Sequence, residues 1–136
     1  RFRLAPAELA LLAVFARRAL ANEPALPAPI KDVGDPAWAE RYLRELRLIA
    51  APLGDLSSTE HALLRGMDGS YFSSRLSKLR SALNKHLGPA AGRYQIDDGG
   101  RKPHRYRLPL DADAVQLHGP GEARKLAIVR RGIPHG

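Results

Sequence analysis

The stretch of sequence that decides the fold lies at residues 68–89 and reads DGSYFSSRLSKLRSALNKHLGP. Its apolar residues recur at intervals of four, three, four and four, the spacing of one face of an α-helix; they are Phe72, Leu76, Leu79, Leu83 and Leu87. Asp68 stands where a helix N-cap is expected, and Gly88-Pro89 is a stop signal. The sequence therefore predicts a helix over 69–87 with one apolar face.

The opposite face of this helix is predicted to be polar and short-chained. Its outward positions are Ser70, Ser73, Ser74, Ser77, Lys78, Ser81, Asn84 and Lys85. Serine is a poor helix former, so several serines on one exposed face indicate a contact surface. Hydroxyls allow close approach to a duplex, lysines neutralise phosphates, and the amide of Asn84 suits an adenine edge. An ordinary amphipathic surface helix is the alternative interpretation.

Beyond this helix the period of the sequence changes to that of strands. Tyr94–Ile96 and His104–Leu108 alternate on either side of Asp98-Gly99-Gly100, a hairpin turn signal. Cations flank the turn at Arg101, Lys102, His104, Arg105 and Arg107. They predict a hairpin wing that touches a phosphate backbone. A solvated hairpin edge, protected by its charges from strand pairing, is the alternative.

The net charge of +8 is concentrated in this part of the chain. Residues 70–107 hold nine basic residues against two acids, whereas residues 1–69 hold nine of each sign. A focused basic field beside a neutral scaffold is typical of a protein that binds a polyanion. A surface charged only for solubility is the competing explanation.

Two helices and a short third one are predicted before this stretch. Pro6–Ala21 carries one apolar stripe at Leu9, Leu12, Phe15 and Leu20. A proline-rich loop follows to Asp35, which caps a helix from Pro36 to about Ala51. That helix should bury Trp38, Tyr42, Leu46 and Ile49 and expose Arg41, Arg44 and Arg47.

Ser57 or Ser58 should cap the short third helix, because Ser57 and Glu60 have capping-box spacing, and the helix should run through Leu64. The order helix, helix, short helix, long helix, hairpin predicts an α+β fold: a winged helix-turn-helix domain, in which a helical bundle is followed by a β-hairpin wing. We assign residues 1–117 to this domain, with a short edge strand around Val115 and Leu117. Residues 118–136 form a C-terminal tail or extra element of unassigned role, for which strand and helix stay open.

A family resemblance rests on residues spread over the chain. They are Leu4-Ala5-Pro6-Ala7-Glu8, Gly66-Met67-Asp68, Phe72, Ser77-Lys78-Leu79, Leu83, Leu87-Gly88-Pro89-Ala90, Tyr94-Gln95-Ile96 and Gly100-Arg101-Lys102-Pro103-His104-Arg105-Tyr106. Over residues 4–117 this pattern resembles the C-terminal part of type III CRISPR-associated proteins that carry an N-terminal cyclic-oligoadenylate-sensing (CARF) domain, some of them called ring nucleases. The resemblance implies a winged-helix module of an antiviral defence protein, with the nucleotide sensor and any ring-cleaving residues in a domain outside this chain. The start at Arg1 without Met agrees with a piece of a longer protein.

Enzymatic functions find little support in the sequence. Arg80 and His86 fit the loose Arg-x5-His spacing of the HEPN ribonucleases, but those domains are all-helical and a hairpin follows here. The five histidines show neither HxxxH nor HExxH spacing, and GxxxxGK[ST] and GxGxxG motifs are absent, so we predict no metal, no cofactor and no catalytic residue in this chain. Without cysteine there are no disulfides, and no apolar run approaches the roughly 20 residues of a membrane span.

The function predicted from these features is nucleic-acid binding, with double-stranded DNA favoured over RNA, in a cytoplasmic protein. The predicted contacts are Ser73, Ser74, Ser77, Lys78, Ser81, Asn84, Lys85, Arg101, Lys102, His104 and Arg105. Two alternatives stay open. One is a protein-interaction or dimerisation module, including a homodimer, because fold does not fix function. The other is a metal-independent ribonuclease that uses Arg80 and His86.

Overall fold

Helices and short antiparallel strands make up the described part of the chain, so the predicted α+β class is confirmed. The computed structural model describes residues 4–50 and 56–110, together with the backbone of 115–118 and 125–128. Along these residues the elements are α1 (Pro6–Leu20), β1 (Leu26–Pro27), α2 (Pro36–Ala50), α3 (Ser57–Ala62), α4 (Gly69–Leu87), a 3-10 helix (Gly88–Tyr94), β2 (Arg105–Tyr106), β3 (Val115–His118) and β4 (Lys125–Ile128).

The starts of α2 and α4 are set by aspartate caps, as predicted. The Asp35 carboxylate accepts a hydrogen bond from the Trp38 backbone N–H at 3.1 Å, and Asp68 accepts one from the Tyr71 N–H at 2.8 Å. Each bond satisfies a donor that the first helical turn leaves without a partner. Helix α4 ends at Gly88, whose φ of 56° lies in the left-handed region.

Helix α3 is shorter than predicted and is capped differently. It ends at Ala62 rather than Leu64, and Leu56 holds the N-cap position. Ser57 already lies inside the helix, so the predicted capping box with Glu60 is wrong. Leu56 packs against the core, and we attribute the entry of the chain into α3 to that apolar contact. Ala51, at the end of the helix predicted from Pro36, lies outside the described residues.

Helix α1 is buried on every side through its middle, not along one stripe. Its seven consecutive residues Ala10–Ala16 are all buried, while Leu20, assigned to the stripe, is 38% exposed. Helices α2 and α4 and strand β3 all lie against α1. An all-round apolar helix is the pattern of a helix at the centre of a core, and the single-stripe prediction is wrong for this reason.

An aromatic cluster joins the helices to the strands. The Trp38 ring lies 5.8 Å from Phe15 and 4.9 Å from Phe72, and Phe72 lies 5.1 Å from Tyr106, between ring centroids. The Trp38 indole N–H also donates to the Pro27 carbonyl at 2.9 Å. Tilted and edge-on pairs of this kind stabilise a core beyond their buried area. One cluster therefore joins α1, α2 and α4 to strands β1 and β2.

The strands form two separate antiparallel pairs. Strand β1 pairs with β2, with Leu26 opposite Tyr106, and an isolated bridge joins Asp97 to Arg107. The strand predicted at Tyr94–Ile96 is wrong, because Tyr94 ends the 3-10 helix and neither Gln95 nor Ile96 belongs to a strand. The strand predicted over His104–Leu108 is limited to Arg105–Tyr106. The 3-10 helix packs against α4 and buries Ala91. The extended backbone therefore begins at Gln95 and not at Tyr94.

The second pair lies close to the C-terminal end of the chain. Strand β3 pairs with β4, with Val115 opposite Ile128. The strand expected around Val115 and Leu117 therefore exists, and it pairs with the stretch for which strand and helix were both open. Residue 117, the predicted domain boundary, falls inside β3.

Backbone contacts clamp the start of α4 to the start of α2. Asp35 and Met67 form an antiparallel bridge with N···O distances of 2.9 and 3.0 Å. A Cβ atom at Gly34 would stand 2.0 Å from the Arg65 carbonyl oxygen, and one at Gly69 would stand 2.7 Å from the Pro29 oxygen. Only glycine allows two chain segments to approach so closely.

A buried ion pair links α1 to α2. Glu45 is fully buried, and its carboxylate accepts two hydrogen bonds from the Arg17 guanidinium, one of them from Nη2 at 3.2 Å. This forked contact suits the planar guanidinium and satisfies both oxygens of a carboxylate inside the core.

Candidate nucleic-acid interface

The outward face of α4 presents the residues that the sequence assigned to it. Seven of the eleven predicted contacts lie on this helix and all are exposed: Ser73, Ser74, Ser77, Lys78, Ser81, Asn84 and Lys85. The opposite face is buried at Phe72, Leu76, Leu79 and Leu83. The helix is therefore divided into an apolar side for the core and a hydroxyl-rich, cationic side for solvent.

The tip of the hairpin is built by two aspartates and two glycines. The Asp97 and Asp98 carboxylates accept hydrogen bonds from the N–H groups of Gly99 and Gly100, at 3.3 and 2.9 Å. Gly99 and Gly100 have φ angles of 80° and 71°, which favour glycine. Side chains that bond the backbone two residues ahead form local turns, so the tip has its own ordering contacts.

The cations of the hairpin are mostly exposed. Arg101, Lys102 and Arg105 are exposed, and His104 is half-buried, with its Nε2 4.0 Å from an Asp98 carboxylate oxygen. The hydrogen bond from the Gly100 N–H, helped by the nearby His104, holds the pKa of Asp98 below its ordinary value. Asp98 stays ionised at neutral pH and offsets part of the positive charge at the tip.

Helix α4 and the base of the hairpin are joined by side-chain contacts that sequence reasoning missed. The Gln95 amide donates to the Arg80 carbonyl at 3.3 Å and to the Asn84 side-chain oxygen at 3.2 Å. The Arg80 guanidinium donates to the Ile96 carbonyl at 3.0 Å. These bonds fix the two parts of the candidate interface, α4 and the hairpin, to each other. Sequence reasoning missed these bonds because it placed Gln95 in a strand. The 3-10 helix before Gln95, which brings it against α4, was not predicted.

These contacts change the roles open to two residues singled out in the sequence. The Asn84 oxygen already accepts from Gln95, so bidentate reading of an adenine, which needs both amide groups, would require that bond to open. Arg80 is half-buried with its guanidinium on the backbone of Ile96. His86 is exposed near the C-terminus of α4.

Arg75 belongs to a different environment from the other cations of α4. It is half-buried, its guanidinium carbon lies 5.3 Å from the Tyr71 ring centroid, and a guanidinium nitrogen lies 3.8 Å from the Glu8 carboxylate. Its charge is partly neutralised against α1. Arg75 therefore links α4 to α1 through Glu8 and is not part of the outward cationic face.

Among the residues that the structure describes, no group of three or more His, Asp or Glu side chains could hold a metal ion. No helix within the same residues is long and apolar enough to cross a bilayer. Comparison with known proteins adds no relative: no protein-family model, curated protein or solved structure matches the chain.

Proposed function

We propose that this domain is a winged helix-turn-helix module that binds duplex DNA. Helix α4 lies in the major groove, and the hairpin over residues 97–107 contacts the phosphate backbone beside it. The observation that carries the proposal is the outward face of α4: exposed hydroxyls and lysines held in fixed relation to an exposed cationic hairpin through Gln95 and Arg80.

The connectivity of the chain supports the winged-helix arrangement. Strand β1 lies between α1 and α2 and pairs with β2, which in turn is bridged through Arg107 to Asp97 on the other arm of the hairpin. The hairpin is thereby attached to the helical bundle on its far side, while α4 and Gln95 hold its near side. A wing fixed at both edges presents its cations at a constant distance from α4.

The chemistry of the face favours DNA over RNA. Small hydroxyls along α4 permit a close approach of the helix to base edges, which the wide major groove of B-form DNA admits. The deep, narrow major groove of A-form RNA excludes a helix. The lysines and arginines supply the sequence-independent attraction to phosphates.

The proposal is tested by fluorescence anisotropy with a mixed-sequence DNA duplex between 50 and 200 mM salt. Lys78, Lys85, Arg101, Lys102 and Arg105 are the exposed lysines and arginines among the predicted contacts. If they contact about five phosphates, the log–log salt slope is about −4.5. Lys78→Gln and Lys102→Gln should each weaken binding and make the slope less steep by about 0.9, while the control Arg47→Gln on α2 should change neither.

The failure of this experiment has a defined meaning. Absence of binding at about 50 mM salt, or a flat salt response, would contradict the proposal and favour the interaction module. One observation favours that second candidate: Ile30, Val33 and Leu64 are 70%, 55% and 76% exposed on the segments that lead into α2 and toward α4. A self-association measurement by analytical ultracentrifugation, with Leu64→Ser as the variant, tests it.

Two further predictions from the sequence stay predictions. The place of this domain as the C-terminal part of a CRISPR-associated nucleotide-sensing protein is tested by the sequence that precedes it in the gene. We expect no ribonuclease activity, because the Arg80 guanidinium is bonded to the Ile96 carbonyl. Chelator-resistant RNA cleavage that is lost in both Arg80→Ala and His86→Ala would contradict this expectation.

A further inference from the structure

A second cationic site lies between α1 and α2, on neither α4 nor the hairpin. It is a small groove of about 50 Å³, here called the arginine groove, lined by Val14, Arg17, Arg18, Arg41, Arg44 and Glu45. Four arginines and one glutamate are among the lining residues, so the lining carries a formal charge of +3. Charge of one sign focused in a concave site attracts a counter-ion.

Among the residues that the structure describes, one of the four arginines has a carboxylate partner: Arg17 pairs with the buried Glu45. Arg18 donates to the Pro24 carbonyl at 3.0 Å, and the Arg41 guanidinium carbon lies 5.7 Å from the centroid of the Trp38 ring. A carbonyl and an aromatic ring orient a guanidinium without neutralising it. Among the described residues, no carboxylate pairs with Arg18, Arg41 or Arg44.

The size of the groove limits what can enter it. A volume of about 50 Å³ exceeds the roughly 30 Å³ share of one liquid water and is far below the 300 Å³ or more of a drug-sized ligand pocket. A single small oxyanion fits this space, whereas a base or a nucleoside does not. Guanidinium groups recognise such anions through paired N–H donors.

We propose that the arginine groove binds one phosphate group. A tetrahedral phosphate group offers acceptor oxygens in several directions to Arg18, Arg41 and Arg44, whereas a carboxylate offers two oxygens in one plane. The phosphate has two sources, a free phosphate or small phosphomonoester and the backbone of a bound nucleic acid. Arg18 also lines a larger neighbouring groove of about 210 Å³ together with Arg107 of the hairpin, which connects the site to the proposed DNA interface. The proposal itself does not depend on DNA binding by α4.

The test is an NMR titration of the arginine Nε–Hε resonances with inorganic phosphate, at constant ionic strength made up with chloride. In the unmodified chain we expect saturable shifts of resonances from the arginine groove. Arg41→Gln/Arg44→Gln should weaken phosphate binding by at least about tenfold, since charged hydrogen bonds are lost. Arg47→Gln, on the same helix and paired with Glu60 at 3.1 Å, is the matched control and should bind phosphate unchanged.

The variants are chosen so that folding does not decide the result. Arg17 is left intact because its removal would break the ion pair with the buried Glu45. The melting temperatures of the variants in chloride, measured by circular dichroism, verify that each is folded. Linear, non-saturating shifts in the unmodified chain, or equal affinity in the double variant and the control, would overturn the proposal.

A second arm identifies the source of the phosphate group. If the backbone of DNA supplies it, Arg41→Gln/Arg44→Gln should also lower duplex affinity and make the salt slope less steep by up to about 1.8. If a free phosphate supplies it, duplex binding should remain as in the unmodified chain while phosphate binding is lost. Both results support the arginine groove. Phosphate binding without any DNA binding would contradict the proposed function alone.

Discussion

Helices α1 and α4 both have periodic apolar residues in their sequences, yet they differ in how much of their surface is buried. Through Ala10–Ala16, α1 is buried at every position and touches neighbours all round. Helix α4 buries one residue in each turn and leaves its serines and lysines in solvent. The comparison separates a helix that only holds the core from one that holds the core and keeps a face free. The two should therefore differ in their response to substitution.

The largest difference is expected in the core. Phe15→Ala on α1 should lower the free energy of unfolding by roughly 3–5 kcal/mol, because it empties a fully buried ring site between Trp38 and Phe72. Lys78→Ala on the free face of α4 should stay within about 0.5 kcal/mol. Urea denaturation of both variants measures the two values. Similar losses in the two variants would contradict the division between the helices.

The next effect sharpens the comparison at the C-terminal end of α1. Arg17→Met should cost roughly 3 kcal/mol, since the buried Glu45 would lose its ion pair with Arg17. This loss is at the low end for a buried pair because the Arg17 side chain is 40% exposed and water screens its charge. Arg17→Met/Glu45→Leu should recover most of the loss in the same denaturation assay. A double variant as unstable as the single one would show that packing, not charge, holds this end of α1.

A smaller effect tests the N-terminal end of α1. The Tyr42 hydroxyl donates to the Ala7 carbonyl at 3.1 Å, so Tyr42→Phe should cost about 1 kcal/mol. Burial raises the pKa of Tyr42 above its ordinary value. The folded state therefore disfavours the phenolate, and this contribution to stability is present at neutral pH and is lost as the pH rises above about 10.

Thermal melts at pH 8 and pH 11 measure this dependence. The unmodified chain should lose more stability between the two pH values than Tyr42→Phe does. Equal losses in both proteins would assign the alkaline sensitivity to another group.

The smallest effect is a gain, and it belongs to the free face of α4. Ser77→Ala and Ser81→Ala should each raise the free energy of unfolding by up to about 0.5 kcal/mol, because alanine is the better helix former at an exposed position. The same variants should weaken duplex binding in the anisotropy assay. Serines whose removal stabilises the helix and leaves binding intact would contradict the assignment of this face to DNA.

The comparison also shows how far the sequence predicts the fold. The bounds of α4 and the starts of α1 and α2 follow from local signals, namely Pro6, Asp35, Asp68 and Gly88, that act within a few residues. The exposure of the predicted contacts on α4 follows from helical period alone. Local rules suffice where an element is decided by its own residues.

What the sequence did not predict depends on partners far along the chain. The burial of α1 on all sides requires β3, about a hundred residues later. Glu45 has the pattern of a surface residue on α2 until Arg17 is placed against it. The bonds of Gln95 to α4 depend on the 3-10 helix that precedes it. None of these long-range pairs leaves a periodic signal.

The backbone clamp between Asp35 and Met67 has a consequence for how binding preference can change. Gly66, with a φ of 100° and no room for a Cβ atom, and the neighbouring Gly34 and Gly69 confine any variation at this joint. Ser73, Ser77 and Ser81 on the free side of α4 take no part in it. A library randomised at Ser73, Ser77 and Ser81, with the three glycines kept, would test new DNA targets while the joint between α2 and α4 stays unchanged. If α4 binds DNA as we propose, its target preference can therefore change through substitutions on the exposed face while the joint between α2 and α4 stays the same.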